Sequence, residues 1–258
     1  METTSSDGVR ISFEVCGSGD VGIVFIHGWC CQRRHWSHQM LHFGTSYTAV
    51  ALDLAGHGES ASDRDTWTME AFGEDVACVL DALDVKAAVL VGHSMGGPVA
   101  VEAALSRPNR VIGVVGADSF FDFYGDPYDA SELRSDFEAR MKDISQGMFD
   151  LESHPEQAVF AEAMAAQSMD VAVGARLAIS EWGSTCFENS VRRLRVPVRT
   201  IQQKRDDDGL GQLHQLAPRL PTFDVREIED VGHFVMLDDP ETFNRHLDEC
   251  LAEIVNAT

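Results

Sequence analysis

Lysine is scarce in this chain of 258 residues, and the charge balance is strongly one-sided. Only three lysines occur, and acidic side chains outnumber basic ones by 42 to 20, which gives a formal net charge of −22. Phosphates would be repelled by such a surface, so we expect no nucleic-acid partner, and strongly anionic substrates are disfavoured. An acidic surface also keeps proteins soluble in salt, so salt tolerance is a hypothesis beside that of an ordinary acidic enzyme.

Membrane and secretion signals are missing as well. No run reaches the roughly 18 apolar residues that a membrane span requires, and residues 1–7 have neither a basic nor an apolar stretch. We therefore expect no membrane partner and a cytoplasmic location. The six cysteines show no C-x-x-C spacing, so reduced thiols are expected. Buried packing is favoured over pocket lining for Cys30 and Cys31.

Metal-ligand patterns are sparse too. His35, His38 and His42 recur at helical spacing, but no cysteine or carboxylate joins them at ligand spacing. Polar positions on a helix are therefore favoured over a zinc site. We predict no metal and no cofactor, and the sequence leaves the oligomeric state unknown.

The chain does contain a Gly-His-Ser-Met-Gly segment at residues 92–96, between an apolar run and an alanine-rich stretch. A strand, a tight turn and a helix in this order are the context of a nucleophile elbow. Glycines flank the serine because the turn strains the backbone and leaves little room for side chains. Ser94 is therefore the candidate nucleophile.

A serine nucleophile needs a base to remove its proton and a third group to orient that base. His233 follows a glycine in a turn after the last predicted strand, and we expect it at the same sheet edge as Ser94. Near the N-terminus, another apolar run ends in His-Gly-Trp at Trp29. Backbone N–H groups aimed at a developing oxyanion lower the barrier of acyl transfer, so we assign this role to the N–H groups of Trp29 and Met95.

Taken in order, these motifs resemble the α/β-hydrolase fold family, of the single-domain kind with a helical cap. The matching segments are Ile26-His27-Gly28-Trp29, Asp53-Leu54-Ala55-Gly56-His57-Gly58-Glu59-Ser60, the Ser94 elbow and Gly232-His233-Phe234. The resemblance spans nearly the whole chain and implies a Ser-His-acid hydrolase. The serine excludes the haloalkane dehalogenase and epoxide hydrolase branches, which carry an aspartate at that position. His27, His57 and His93 are interpreted as loop supports.

Two aspartates stay open as the acid. The resemblance places it most often after the strand at residues 198–202, and Asp206 there precedes His233 by 27 positions. The glycine of the usual Gly-x-x-Asp pattern is missing, however, and Asp206 begins a run of three aspartates that is typical of a solvated loop. Asp118 directly follows the strand at residues 111–116, where some branches of the family place the acid. An orienting carboxylate needs a buried, rigid position rather than a motif, so both are candidates.

Alternating strand-like and helix-like segments predict an α/β fold with a mostly parallel, twisted sheet flanked by helices. A first strand at residues 9–15 is expected to form a hairpin with the segment around residues 23–26. Apolar residues at helical spacing predict a C-terminal helix that begins at Pro240. A chain of this length can bury one large core, and we assign residues 1–118 and 191–258 to it.

Residues 119–190, inserted after strand six, look helical and form the predicted cap. One amphipathic helix is expected from apolar residues at helical spacing: Leu133, Phe137, Met141, Ile144 and Met148. The cap opens with aromatic side chains that helix periodicity does not explain: Phe120, Phe121, Phe123 and Tyr124. We interpret these aromatics as a pocket wall for substrate, with anchoring of the cap to the core as the alternative.

The resulting hypothesis is a serine esterase that cleaves small to medium, neutral carboxylic esters through an acyl-enzyme. Lactone opening, carbon-carbon bond hydrolysis and perhydrolysis stay open, because fold and triad do not determine the pocket. A ligand receptor that keeps the triad with residual hydrolase activity is the alternative from another class. Turnover of short p-nitrophenyl esters separates the enzyme from the receptor.

Overall fold

A computed structural model describes residues 1–120, 128–205, 220 and 222–257, and within them eight strands form one mixed sheet. The strands are β1 (Glu2–Thr4), β2 (Arg10–Cys16), β3 (Val21–Ile26), β4 (Thr48–Leu52), β5 (Ala87–His93), β6 (Val111–Ala117), β7 (Val198–Gln203) and β8 (Phe223–Ile228). Their order is β1-β2-β4-β3-β5-β6-β7-β8, and all pairs from β4 to β8 are parallel. The predicted, mostly parallel sheet is confirmed.

The predicted hairpin between residues 9–15 and 23–26 is wrong. β2 pairs antiparallel with β4, with Phe13 opposite Leu52, and β3 lies on the far side of β4 and parallel to it. Every residue of β4 is buried. A strand that is buried on both faces is stabilised in the interior of a sheet, and β4 accordingly lies between β2 and β3.

Helices cover both faces of the sheet. Six of the helices are α1 (Ser37–Phe43), α2 (Met69–Ala82), α3 (Gly96–Ser106), α8 (Phe187–Arg193), α9 (Val235–Asp238) and α10 (Pro240–Asn256). Val24 and Ile26 of β3 pack with α2 and α3 on one face. Ile23 and Phe25 pack with α1 and α10 on the other. This alternation follows from the period of two along a strand, and it gives the molecule a core on each side of the sheet.

The described part of the segment between β6 and β7 contains helices joined by short turns, and it connects back to the rest of the molecule through buried contacts. Its further helices are α4 (Ser131–Arg134), α5 (Phe137–Met148), α6 (Ala158–Ala165) and α7 (Met169–Glu181), so the single helix predicted over residues 133–148 is two. Trp182 Nε1–H and Ser190 Oγ–H donate to Glu102 Oε1 at 2.7 and 2.6 Å. Trp29 Nε1–H donates to the Ala172 carbonyl at 2.7 Å. These bonds hold the helical segment over the carboxyl ends of the strands.

Among the described helices, none has the combination of length and apolar character that crossing a membrane requires.

Candidate active site

Ser94 lies in a strained turn between β5 and α3. Its φ of +50° is in the left-handed region, which serine adopts rarely. A Cβ on Gly92 would overlap the Gly96 carbonyl oxygen, and a Cβ on Gly96 would lie 2.5 Å from the Ile26 carbonyl oxygen. The Ser119 hydroxyl donates to the Ser94 carbonyl at 2.7 Å. The two glycines are therefore steric requirements of the elbow.

Ser94 lines a cavity of about 500 Å³, called the elbow cavity below. Its described lining is Trp29, Cys31, His93, Ser94, Met95, Asp118, Ser119, Tyr128, Ile144, Met148, Arg176, Ile179, Gln203, Arg205 and His233. The volume is that of a pocket for a small organic molecule. The apolar residues Ile144, Met148 and Ile179 therefore face the same space as Ser94.

His233 and Asp118 are in contact at this cavity. His233 Nδ1 lies 2.7 Å from Asp118 Oδ2, and the Asp118 side chain is fully buried. The same carboxylate accepts from the main-chain and side-chain N–H groups of Gln203 at 3.2 and 3.0 Å, and it lies 3.3 Å from Arg205 Nη2. The contact with Asp118 favours the histidine tautomer that carries its hydrogen on Nδ1, which leaves Nε2 as the basic nitrogen.

Asp118, one of the two aspartates considered from the sequence, contacts His233. Asp118 follows β6, and its N–H donates to the Ile201 carbonyl of β7 at 2.8 Å. Pairing of β6 with β7 thus brings the carboxylate to the donors of Gln203. Asp206 lies outside the described residues.

His93 supports the loop that carries His233. Its Nε2–H donates to the His233 carbonyl at 3.0 Å, and the two ring centres are 4.6 Å apart. Burial of the His93 ring moves its pKa well below the ordinary value, so the ring is neutral. A neutral ring with its hydrogen on Nε2 can make this bond without placing a positive charge beside His233.

The loop that contains Trp29 packs directly on the elbow. A Cβ on Gly28 would lie 3.2 Å from Ser94 Cβ and 2.8 Å from His93 Nδ1. Within the described residues, the main-chain N–H groups of Trp29 and Met95 donate no hydrogen bond, and both residues line the elbow cavity. Amide groups without a protein acceptor at a cavity wall are available to an oxygen of a ligand.

Two further motif histidines are hydrogen-bonded within their loops. His27 Nδ1–H donates to the Gly28 carbonyl at 2.8 Å, and its Nε2 accepts from the Leu54 N–H at 3.0 Å. His57 Nδ1–H donates to the Ala55 carbonyl at 2.9 Å. Burial lowers the pKa of both rings to about 3, so they are neutral. The bonds of His27 connect the Gly28 loop to the loop after β4, and the bond of His57 lies within that second loop.

Cys31 lines the elbow cavity and is also buried. Burial raises the pKa of its thiol to about 12, and burial likewise raises that of Cys30 well above its ordinary value. Both thiols are therefore protonated at neutral pH, and neither competes with Ser94 as a nucleophile.

The aromatic cluster predicted as a pocket wall lies partly outside the described residues. Phe120 is only 2% exposed and packs in the core, where its ring would contact a Cβ on Gly97 or Gly116. Phe120 is thus not part of the described lining of the cavity. Phe121, Phe123 and Tyr124 are not described.

The three histidines considered for a metal do not converge. His35 packs with its ring centre 4.5 Å from that of Phe160, and His42 Nε2 lies 2.8 Å from Asp248 Oδ2. In the part of the chain that the structure describes, no group of three or more ligating side chains is placed to hold a metal ion.

Six cavity residues were not singled out from the sequence: Ser119, Tyr128, Arg176, Ile179, Gln203 and Arg205. A signal existed for Arg176, because it is the single basic residue of α7 and lies in an otherwise apolar stretch of that helix. Gln203 and Arg205 lie at the end of β7, where an acid was expected, but no sequence pattern assigned a role to their own side chains.

The sheet order, the elbow and the histidine-aspartate contact define an alpha/beta hydrolase. The chain belongs to the alpha/beta hydrolase family, whose sequence model matches residues 23–246. A solved N-acyl homoserine lactone degrading enzyme is 26% identical with a TM-score of 0.80, over 96% of this chain and 99% of that one. A thermophilic esterase from Thermogutta terrifontis has a TM-score of 0.83 at 23% identity, over 98% of each chain, which shows the shared fold.

Curated relatives match over shorter stretches. A bifunctional esterase/perhydrolase of Acinetobacter calcoaceticus is 41% identical over 96 residues, which are 36% of this chain and 35% of that protein. The chain thus matches about a third of the length of this relative. The comparisons thus place the chain in the alpha/beta hydrolase family.

Proposed function

We propose that this hydrolase cleaves small to medium carboxylic esters, with Ser94 as nucleophile, His233 as general base and acid, and Asp118 as the residue that orients His233. The observation that carries the proposal is the 2.7 Å contact between His233 and Asp118 at a cavity that Ser94 also lines. A buried carboxylate at this distance fixes the imidazole tautomer and stabilises the imidazolium that forms during the reaction.

The reaction has two halves. Ser94 Oγ attacks the ester carbonyl while His233 Nε2 takes the hydroxyl proton, and collapse of the tetrahedral intermediate expels the alcohol, which receives that proton. A water molecule then attacks the acyl-enzyme, again giving a proton to His233, and the carboxylic acid leaves as the proton returns to Ser94. Water is the only co-substrate, so the proposal requires no cofactor.

The oxyanion of each tetrahedral intermediate is proposed to accept hydrogen bonds from the N–H groups of Trp29 and Met95. Support comes from the absence of any other acceptor for these groups among the described residues and from the packing of Gly28 against Ser94. Donors fixed in advance stabilise the charged intermediate more than the neutral ester, which lowers the barrier.

A fluorophosphonate probe and p-nitrophenyl esters test the proposal together. We expect the wild-type protein to hydrolyse the esters and to be labelled at Ser94, and Ser94→Ala to lose both properties. His233→Ala should lose as much activity as Ser94→Ala, since the members of a triad act as a unit. Thermal unfolding confirms that each variant is folded.

Labelling at another residue, or esterase activity in Ser94→Ala, would contradict the assignment of the nucleophile. A folded wild-type protein without turnover or labelling would favour the ligand receptor instead.

Lactone opening is a second candidate, favoured by the 26% identity to an N-acyl homoserine lactone degrading enzyme over nearly the whole chain. A lactone is a cyclic ester, so the same steps apply and the leaving alcohol stays attached to the acyl group. The kcat/KM values for open-chain esters and for lactones of equal acyl length decide between them.

A further inference from the structure

Arg176 places a positive charge on the wall of the elbow cavity, which Ser94 also lines. Its guanidinium carbon lies 4.8 Å from the centre of the Tyr128 ring, a distance at which a cation is attracted to an aromatic face. Tyr128 lines the cavity too, so the ring supports the guanidinium at that wall. In the described part of the chain, Arg176 forms no ion pair with a carboxylate.

Arg176 combines two properties in a chain with 42 acidic and 20 basic residues: it has no carboxylate partner in the described part, and it lines the cavity. Arginines of this protein that do pair with carboxylates include Arg10, Arg33, Arg64, Arg107, Arg140, Arg192, Arg199, Arg205 and Arg226. The other arginine of the described cavity lining, Arg205, lies 3.3 Å from Asp118 Oδ2, so its charge is directed at the buried carboxylate. Arg176 is thus the cavity cation that the described protein groups leave for a ligand.

We propose that Arg176 binds a free carboxylate of the substrate, so that the molecule carries an ester or lactone bond at one end and a carboxylate at the other. The guanidinium group has a planar fork of donors that matches both oxygens of a carboxylate. The inference rests on the proposed function, because it takes Ser94 as the group that attacks the other end of the molecule.

This substrate class replaces the neutral ester expected from the sequence. That expectation used the net charge of the whole surface, but exposed charges farther away than the Debye length of about 10 Å are largely screened. Inside the cavity, the nearby charge of Arg176 outweighs the distant acidic surface. Because Ile144, Met148 and Ile179 also line the cavity, the carbon chain between the two ends has an apolar surface to contact.

The size of the cavity limits the length of the substrate. A sphere of the same volume would be about 10 Å across, in the range of pockets for small molecules. A half-ester of a short dicarboxylic acid, such as monomethyl adipate, fits this length. The methyl ester of adipic acid monoamide is its neutral counterpart, because the two esters differ only in carboxylate against amide.

The experiment measures kcat/KM for both esters by titration of the released acid. We expect the wild-type protein to prefer the carboxylate over the amide by about 10-fold to 100-fold, the range of a charged hydrogen bond. The preference should fall to about twofold or less in Arg176→Gln and decrease with added salt in the wild type. Arg192→Gln is the matched control: Arg192 is 64% exposed and outside the described lining, so the preference should persist.

A wild-type preference for the amide, or a preference that Arg176→Gln leaves unchanged, would overturn the role of Arg176 while the proposed ester hydrolysis stands. Arg176→Lys, which keeps the charge without the planar fork, should retain part of the preference if Arg176→Gln does not fold.

Binding of free adipate to Ser94→Ala, measured by isothermal titration calorimetry, tests the site without turnover. If adipate binds Ser94→Ala but not a variant with both Ser94→Ala and Arg176→Gln, the carboxylate site stands even when no ester is hydrolysed. If neither variant binds adipate and the esters are hydrolysed without preference, the carboxylate site is wrong and the proposed function stands.

Discussion

His233 Nδ1 and Asp118 Oδ2 lie 2.7 Å apart, although 115 positions separate the two residues in the sequence. Asp118 reaches this position with a φ of +41°, a conformation that aspartate tolerates better than most residues do. Its buried carboxylate is held by the N–H groups of Gln203 at the end of β7. The orienting group of the proposed reaction is therefore fixed by the pairing of two strands.

Asp118→Asn is expected to lower kcat/KM for ester hydrolysis by about 10⁴-fold, because the neutral amide neither favours the right tautomer nor stabilises the imidazolium. Asp206→Asn is the matched variant and should stay near the wild-type rate. Steady-state kinetics, with thermal unfolding as the check on folding, measures both. Full activity in Asp118→Asn would remove this residue from the reaction, and a large loss in Asp206→Asn would make that residue the acid.

Ser94→Gly should be more stable than Ser94→Ala by about 1 kcal/mol, since glycine adopts a left-handed φ without the steric cost that alanine and serine have. Neither variant has a nucleophile, so both should be inactive. The measurement is the free energy of unfolding in denaturant. Equal stabilities would mean that the backbone at this turn is not strained in solution.

Gly28→Ala is expected to lower kcat by about 10²-fold, the effect of losing one oxyanion donor. The added Cβ would lie 2.8 Å from His93 Nδ1 and 3.2 Å from Ser94 Cβ, so the loop must move and carry the Trp29 N–H with it. Gly147→Ala is the control, because a Cβ there meets nothing within 4 Å. Since Gly147 lies inside α5, this change should stabilise the protein by about 0.5–1 kcal/mol and leave kcat unchanged. Wild-type kcat in Gly28→Ala would separate the loop from the reaction.

Ile179→Ala should shift the preferred acyl chain of the substrate to a greater length. Ile179 lines the cavity and is buried, and each methylene that the enlarged pocket takes up adds about 0.8 kcal/mol, or about fourfold in kcat/KM. Leu177→Ala changes an exposed residue of the same helix and should leave the chain-length profile as it is. The profile over a series of esters decides, and an unchanged optimum in Ile179→Ala would mean that the acyl chain binds elsewhere.

Stability should fall as the pH is lowered below about 6.5, the value near which an exposed histidine takes up a proton. Burial lowers the pKa of His27 and His57 to about 3 and that of His35 to about 4, so the unfolded chain binds more protons than the folded one in the window between. Each of these histidines then lowers the free energy of unfolding by about 1.4 kcal/mol for every unit that the pH falls within the window. Above the window, the histidines make no such contribution.

Unfolding free energies measured across this window test the histidine contribution. His35→Gln removes one buried ring and should reduce the slope of stability against pH, whereas His38→Gln changes an exposed histidine and should not. A stability independent of pH between about 4.5 and 6.5 would show that the buried rings do not control acid unfolding.

The sequence alone determined the parts of this protein that depend on neighbouring residues. Glycines around Ser94, with an apolar run before and an alanine-rich stretch after, predicted a strand, a tight turn and a helix, and the structure has β5 and α3 there. The apolar runs that alternate with helix-like segments indicated a parallel sheet, because a strand buried on both faces is apolar at nearly every position. His233 was found from the glycine turn before it.

Only the tertiary structure decided which distant groups meet. β4 lies between β2 and β3, which were expected to pair with each other, because a strand buried on both faces is stabilised between two neighbours. The Phe120 ring occupies space that side chains on Gly97 and Gly116 would fill. Asp118 contacts His233, and its position depends on the pairing of β6 with β7. Arg176 lies at the cavity because α7 packs beside it. These contacts join residues that are far apart in the chain, and a local sequence pattern does not predict which distant side chains will be in contact.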